Sequence, residues 1–333
     1  MNAHPPECRL SYVEQYLEPV RHLLTDENVN ELTINPDDSI YVERSGAAHM
    51  EPVDIRLSAQ AIRRLGAQIA GETKNQLGPA HPIVSGRVRV WGQPQRVQVV
   101  VEPAIEAGVS LSIRKYSKST LDLSVVKFVG GAQVSIDDER VKNRAKIQEL
   151  SKQGKIEEMF LSAIEQRMNI LVSGGTSSGK TTLTNAILAK VAHDERIITI
   201  EDAKELYPPH GNYVGLMADR RENSERSPSK LLESCLRMRP DRIIVGEIRG
   251  AEAYDFLESV NTGHPGAIST IHADSPTLAF DRLAMMVLRA GVQMSHGEIL
   301  DYARKSIDVV VQVGRRDGKR GVLEVYLPGQ DED

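Results

Sequence analysis

The chain has 333 residues, 40% apolar and 26% charged, a composition that fits an ordinary soluble globular protein long enough for two domains. Its 41 basic and 46 acidic side chains leave a net charge of −5, and aromatics are only 4% of residues, which argues against a global field for nucleic acid and against a base-stacking groove. Cys8 and Cys235 lie far apart with no CxxC partner, which argues against a disulfide framework and a zinc site, and no apolar run reaches the length of a membrane span.

The residues from Met1 to Arg21 lack the apolar core of a signal peptide, so the expected setting is cytoplasmic, with any membrane work peripheral. The stretch "ELTINPDDSIYVERSG" reads as two strands around an Asn35-Pro36-Asp37-Asp38 turn. Ser58 caps a predicted amphipathic helix, "AQAIRRLGAQIA". The period-two alternation in "GRVRVWGQPQRVQVVVEPA" predicts an antiparallel hairpin turning at Gly92-Gln93-Pro94, and residues 109–117 add a further strand. From about Lys118 to Gly154 a Gly pair and dense mixed charge predict a long linker with some helix in it, before a helical pattern resumes at "KIEEMFLSAIEQRMN".

Beyond residue 168 the texture changes. Short β-branched runs recur at residues 169–172, 196–200, 242–245 and 267–271. Continuous apolarity of this kind suits strands buried on both faces, so this half predicts a parallel sheet between helix layers. The final segment, "DVVVQVGRRDGKRGVLEVYLP", predicts two strands around a charged turn.

The stretch "NILVSGGTSSGKTTLTNAIL" breaks the first of these strands with glycines and hydroxyl residues. Residues Gly174, Gly175, Thr176, Ser177, Ser178, Gly179, Lys180 and Thr181 fit G-x-x-x-x-G-K-T, and Thr182 follows. Glycines let successive N–H groups point inward around phosphates, Lys180 adds a point charge, and the Thr181 hydroxyl is placed to ligate Mg²⁺. An apolar strand before the loop, and Leu183, Ile187 and Val191 on one helix face after it, supply the expected context. The loop therefore predicts a nucleotide's phosphates. No N-K-x-D occurs, which removes the usual guanine reader.

Three later strand ends carry polar groups: Glu201-Asp202, then Glu247 flanked by Arg237, Arg239, Arg242 and Arg249, then His272, with His264 before that last strand. Ligands of open parallel sheets bind beyond the carboxyl ends of the strands. Glu201, Glu247, His272 and the glycine-rich loop thus converge on one crevice, with carboxylates available to orient water and to hold a metal shell.

The run "LRMRPDRIIVGEIRG", followed by "TGHPGAISTIHA", closely resembles the secretion ATPases of type IV secretion and conjugation, type II secretion and type IV pili. The resemblance is strong over residues 169–280 and less sharp over parts of the first third. It implies a RecA-like P-loop ATPase domain with a mostly parallel sheet at residues 156–333. A smaller α/β N-terminal domain at 1–117 precedes it, joined by a linker at 118–155. It also implies that Glu201 belongs to an acidic box, Glu247 to Walker B, and His264 and His272 to a histidine box. Arg96 and Arg114 of the first domain would reach the phosphates. The implied cofactors are ATP and Mg²⁺, the latter through Thr181, Glu201 and Glu247. The implied assembly is a homo-hexamer. Its partners would be other type IV secretion ATPases and inner-membrane channel components, at the cytoplasmic face of a bacterial inner membrane, with no sequence-specific nucleic-acid binding.

Two cysteines cannot build the tetracysteine insert common on the type II branch, so type IV secretion fits best. The rivals are a pilus or type II assembly motor, a nucleotide-gated scaffold with negligible turnover, and a DNA translocase.

Overall fold

The computed structural model describes residues 10–116 and 122–329. Two short helices open it, α1 (Tyr12–Leu17), held by a Ser11–Glu14 capping box, and α2 (Arg21–Thr25). Strands β1 (Val29–Ile34), β2 (Ile40–Arg44) and β3 (Glu51–Val53) follow, then α3 (Ala59–Glu72) capped by Ser58. Next come β4 (Ile83–Val90), β5 (Gln93–Val101) and β6 (Val109–Lys115). These six strands form an antiparallel sheet ordered β3-β2-β1-β6-β5-β4. Its β4–β5 hairpin turns at Trp91-Gly92, not at Gly92-Gln93-Pro94. Both turn residues have positive φ, 45° and 75°, the conformation that matches the twist of a two-residue hairpin.

The predicted linker holds a 17-residue helix, α4 (Ile136–Lys152), with an N-cap at Ser135. Its Arg140 and Arg144 reach Asp308 at 2.6 and 3.2 Å, which fastens the helix to the second half of the chain. The predicted boundary at residues 117/118 lies outside the described residues, as does Cys8.

Helix α5 (Ile156–Glu165) leads into β7 (Ile170–Ser173), α6 (Lys180–Leu188), β8 (Ile197–Glu201), β9 (Tyr213–Met217), α7 (Pro228–Cys235) and β10 (Arg242–Val245). Then come α8 (Glu252–Asn261), β11 (Ile268–Ile271), α9 (Pro276–Arg289), α10 (His296–Ser306), β12 (Val309–Arg316) and β13 (Lys319–Tyr326). The seven strands are ordered β13-β12-β7-β11-β10-β8-β9, parallel throughout except for the terminal β12–β13 hairpin. Every residue of β7, β8, β10 and β11 is buried. One apolar layer packs Leu171, Ile198, Val245 and Ile271 against α7 to α10, and the other packs Ile170, Val172, Ile244 and Ile268 against α5 and α6. That two-sided burial is what the unbroken apolar runs required. The sheet is mixed α/β and parallel-rich, as expected.

The two sheets meet through polar contacts. Arg196, with no exposed surface, donates to Asn35 at 2.7 Å, to Asn212 and to the Met238 carbonyl. Gln98 donates to Ser234 at 2.9 Å, and Arg239 to Glu43 at 2.7 Å.

Candidate active site

The parallel sheet sends four chain segments past its carboxyl edge, and they line a cavity of about 550 Å³. Strand β7 enters the glycine loop at Gly174, where a Cβ would lie 2.4 Å from the Val313 carbonyl oxygen and 2.6 Å from Ser178 Oγ. Only glycine fits there. Ser177 and Gly179 take φ of 57° and 98°, the left-handed values that curl the loop before α6 begins at Lys180.

The Lys180 ammonium turns back on its own loop. It donates to the Gly174 and Gly175 carbonyls, both at 2.9 Å, and lies 3.4 Å from His272 Nδ1. Burial lowers its pKa, and Arg249 adds to the effect against the pull of Glu247.

Glu247, just past β10, pairs with Arg249 at 2.7 Å and with His272 Nε2 at 3.2 Å. Burial works to raise its pKa. The hydrogen bond from Arg249 and the nearby His272, Arg249 and Lys180 outweigh it, so the carboxyl sits below its ordinary value and is ionised at neutral pH. Burial also lowers the His272 pKa despite Glu247, so the imidazole is neutral at pH 7.

Glu201, the last residue of β8, is 5% exposed. Its Oε1 accepts the Glu205 and Leu206 N–H groups, both at 2.9 Å, and its Oε2 accepts the Thr199 hydroxyl at 3.1 Å. Burial raises its pKa against those three donors. The loop so held brings Glu205 into the cavity, where its Oε2 accepts from the Thr181 hydroxyl at 3.1 Å.

Thus the structure brings together Thr176 to Thr182, Glu201, Glu247 and His272, with Gly174 and Gly175 at their base. Arg96, Arg114 and His264 are elsewhere. They line a second cavity of about 560 Å³ with Glu31, Arg87, Arg237 and Arg239. His264 precedes β11 and His272 follows it, so the strand itself holds the two imidazoles at opposite edges of the sheet. Arg87, Arg96 and Arg114 are directly opposed across β4, β5 and β6, with Glu31 next in the row. Arg96 donates to the Tyr116 hydroxyl at 3.0 Å and stands over its ring. Arg96 and Arg114 therefore do not line the cavity at their own chain's glycine loop.

Sequence reading missed Glu205 and Arg320, both of which line the nucleotide-sized cavity. Glu205 carried a signal, its place four residues after Glu201 in E-D-x-x-E. Arg320 carried none, because only the β13 pairing delivers it.

The donor set suits a hard cation held partly by phosphate. Thr181 and the carboxylates of Glu201, Glu205 and Glu247 line one cavity. Among the described residues no group of three or more His, Cys, Asp or Glu could hold a metal alone. Mg²⁺ commonly takes one or two carboxylates and leaves its other positions to phosphate and water.

A match to the type II/IV secretion system protein family spans residues 14–315. The chain belongs to that family. It is 35% identical over 335 residues to the type IV secretion system protein VirB11 of Brucella suis, covering 96% of this chain and 91% of that protein. It is 33% identical over 329 residues to VirB11 of Bartonella henselae, covering 93% and 91%. A crystal structure of the Brucella suis VirB11 ATPase in complex with sulphate superposes with a TM-score of 0.83 at 32% identity, covering 95% of this chain and 97% of that one. The family member described here thus has the RecA-like P-loop fold and sits on the type IV secretion branch of these ATPases. Among the described residues no helix is long and apolar enough to cross a membrane.

Proposed function

We propose that this chain is the subunit of a homo-hexameric motor that hydrolyses ATP with Mg²⁺ and passes the free energy to a type IV secretion channel. The observation that carries the reading is the juxtaposition in one cavity of the glycine loop with its inward-turned Lys180 and the Glu247–His272 pair. Bound phosphates take over Lys180 from the two carbonyls it now holds, and the loop N–H groups and the start of α6 receive the rest of their charge. Glu247, already ionised, orients the attacking water and accepts its proton. His272 bridges Lys180 and Glu247, so it senses whether the terminal phosphate is present. Thr181, Glu201 and Glu247 are the groups first expected to hold Mg²⁺, which when bound neutralises charge on the phosphate oxygens.

The domain division at 1–117, 118–155 and 156–333 supplies the moving parts. In a head-to-tail ring Arg96 and Arg114 act on a neighbour's phosphates, because in their own chain they open onto the other cavity. The partners are inner-membrane channel components and other type IV secretion ATPases, met peripherally at the cytoplasmic face of the bacterial inner membrane.

Phosphate release by wild type and by Lys180→Ala, with mass measured by light scattering with and without nucleotide, tests this. A six-subunit mass and turnover that Lys180→Ala removes are expected. Equal background rates would refute the enzyme, and a persistent monomer would refute the ring.

A further inference from the structure

The acidic groups of the cavity are not equally free to bind a cation. Glu201 is buried, and three of the roughly four lone-pair sites of a carboxylate are taken by the Glu205 N–H, the Leu206 N–H and the Thr199 hydroxyl. Glu247 is engaged by Arg249 and His272. Glu205 faces the open cavity, and among the described residues its carboxylate accepts a single hydrogen bond, from Thr181 Oγ1.

The loop that carries Glu205 is fixed at both ends of its short course. Glu201 takes its N–H, and Asn185 on α6 donates to the Glu205 carbonyl and accepts from the Tyr207 N–H, all at 2.9 Å. Three side-chain-to-backbone hydrogen bonds therefore fix the backbone from which the Glu205 side chain reaches Thr181.

We propose that Glu205, and not Glu201, is the protein carboxylate that binds the divalent cation beside Thr181. The Thr hydroxyl that follows the loop lysine is the P-loop group suited to Mg²⁺. With Mg–O bonds of 2.0–2.1 Å at right angles, neighbouring oxygens of an octahedral shell lie about 2.9 Å apart. The Thr181 Oγ1 to Glu205 Oε2 separation is 3.1 Å. The two oxygens thus stand near adjacent-ligand spacing, and a cation held there would take the place of their hydrogen bond. Glu201 then acts as a positioning residue, through the two N–H groups by which it shapes the 201–206 loop.

The assignment rests on reading this cavity as an ATP site, and the experiment separates the two. Full-length wild type, Glu205→Gln and Glu205→Asp are titrated with a fluorescent non-hydrolysable ATP analogue, with Mg²⁺ and with chelator. Mn²⁺ uptake in the presence of the analogue is followed by the loss of its free-ion EPR signal. For Glu205→Gln the tightening of the analogue by Mg²⁺ should shrink by at least about tenfold, and Mn²⁺ uptake should weaken to match. Its affinity in chelator should be unchanged or tighter, since a negative charge has left the phosphate site, and Glu205→Asp should recover part of the cation effect. Unaltered Mg²⁺ tightening and Mn²⁺ uptake in Glu205→Gln would overturn the assignment, as would a loss of affinity equal in Mg²⁺ and in chelator, which marks a merely structural role. No analogue binding by wild type would overturn the ATP reading, and this assignment with it.

Discussion

The cavities at the two edges of the parallel sheet treat charge in opposite ways. At the carboxyl edge the central acids and bases have partners in the chain: Lys180 holds two carbonyls, Glu247 holds Arg249 and His272, and Glu201 holds three donors. Those contacts order the site from within the chain. The amino-edge cavity instead lines up Arg87, Arg96 and Arg114 across three adjacent strands, where like charges directly opposed destabilise a sheet. Glu31 stands at the end of that row. Burial pushes its carboxyl up to about 7, against the pull of Arg114. The first edge carries paired acids and bases within the chain; the second keeps three arginines opposed across its strands.

The difference sets what each substitution should do. Removing Arg114 should cost the most in rate and little in stability, because relief of its like-charge pairing with Arg96 is offset by the loss of a countercharge to Glu31. If it meets a neighbour's transferring phosphate, Arg114→Ala lowers kcat by about 10³-fold, whereas the opposing changes in the arginine row and at Glu31 leave the unfolding free energy within about 1 kcal/mol of wild type. Paired phosphate-release and urea-denaturation measurements read both quantities. A variant with normal turnover would leave the arginine row without the role given to it.

At the balanced edge Lys180→Ala removes a charge aimed at developing phosphate charge, and kcat should fall by about 10²–10³-fold. Here analogue binding weakens as well, read by fluorescence titration, because the same ammonium serves the ground state.

The pH dependence of stability isolates Glu31. In the folded chain its carboxyl keeps a proton up to about pH 7, whereas a carboxyl of ordinary value releases it near 4.5. Between those values the folded state binds more protons, so stability falls as pH rises through the window and the full penalty stands above it. A shift of that size corresponds to about 3 kcal/mol. Glu31→Gln, an isosteric neutral side chain, should therefore gain on wild type by roughly that amount above pH 7, and the gain should vanish near pH 4. Chemical denaturation at pH 4.5, 6 and 8 checks it; parallel curves would contradict the buried carboxyl.

The smallest effect concerns the polar seam between the sheets. Asn35→Ala deprives the wholly buried Arg196 of one acceptor, at a cost of about 2 kcal/mol measured as a lower urea midpoint.

The sequence was most legible where geometry is local. Runs such as "RIIV" could only be strands buried on both faces, and the loop from Gly174 to Thr181 carries its own conformational logic in Gly174, Gly179 and the helix after them. Strand β9 was missed because its burial alternates at a sheet edge and it follows an irregular Pro-Pro-His-Gly stretch. The arginine row was invisible for a different reason. Arg87, Arg96 and Arg114 become neighbours only through the register of three strands, which no single stretch encodes. Glu205 shows the same limit: its spacing to Glu201 was in view, but its contact with Thr181 depends on how the 201–206 loop folds back onto α6.

The central claim is that the carboxyl-edge cavity binds ATP and uses Glu247 to hydrolyse it. Glu247→Gln keeps the shape of the side chain and removes its charge. Analogue affinity and steady-state phosphate release measured on the same preparation should give near-wild-type binding with turnover reduced by about 10²-fold or more. Turnover equal to wild type, or binding and turnover lost together, would contradict the account.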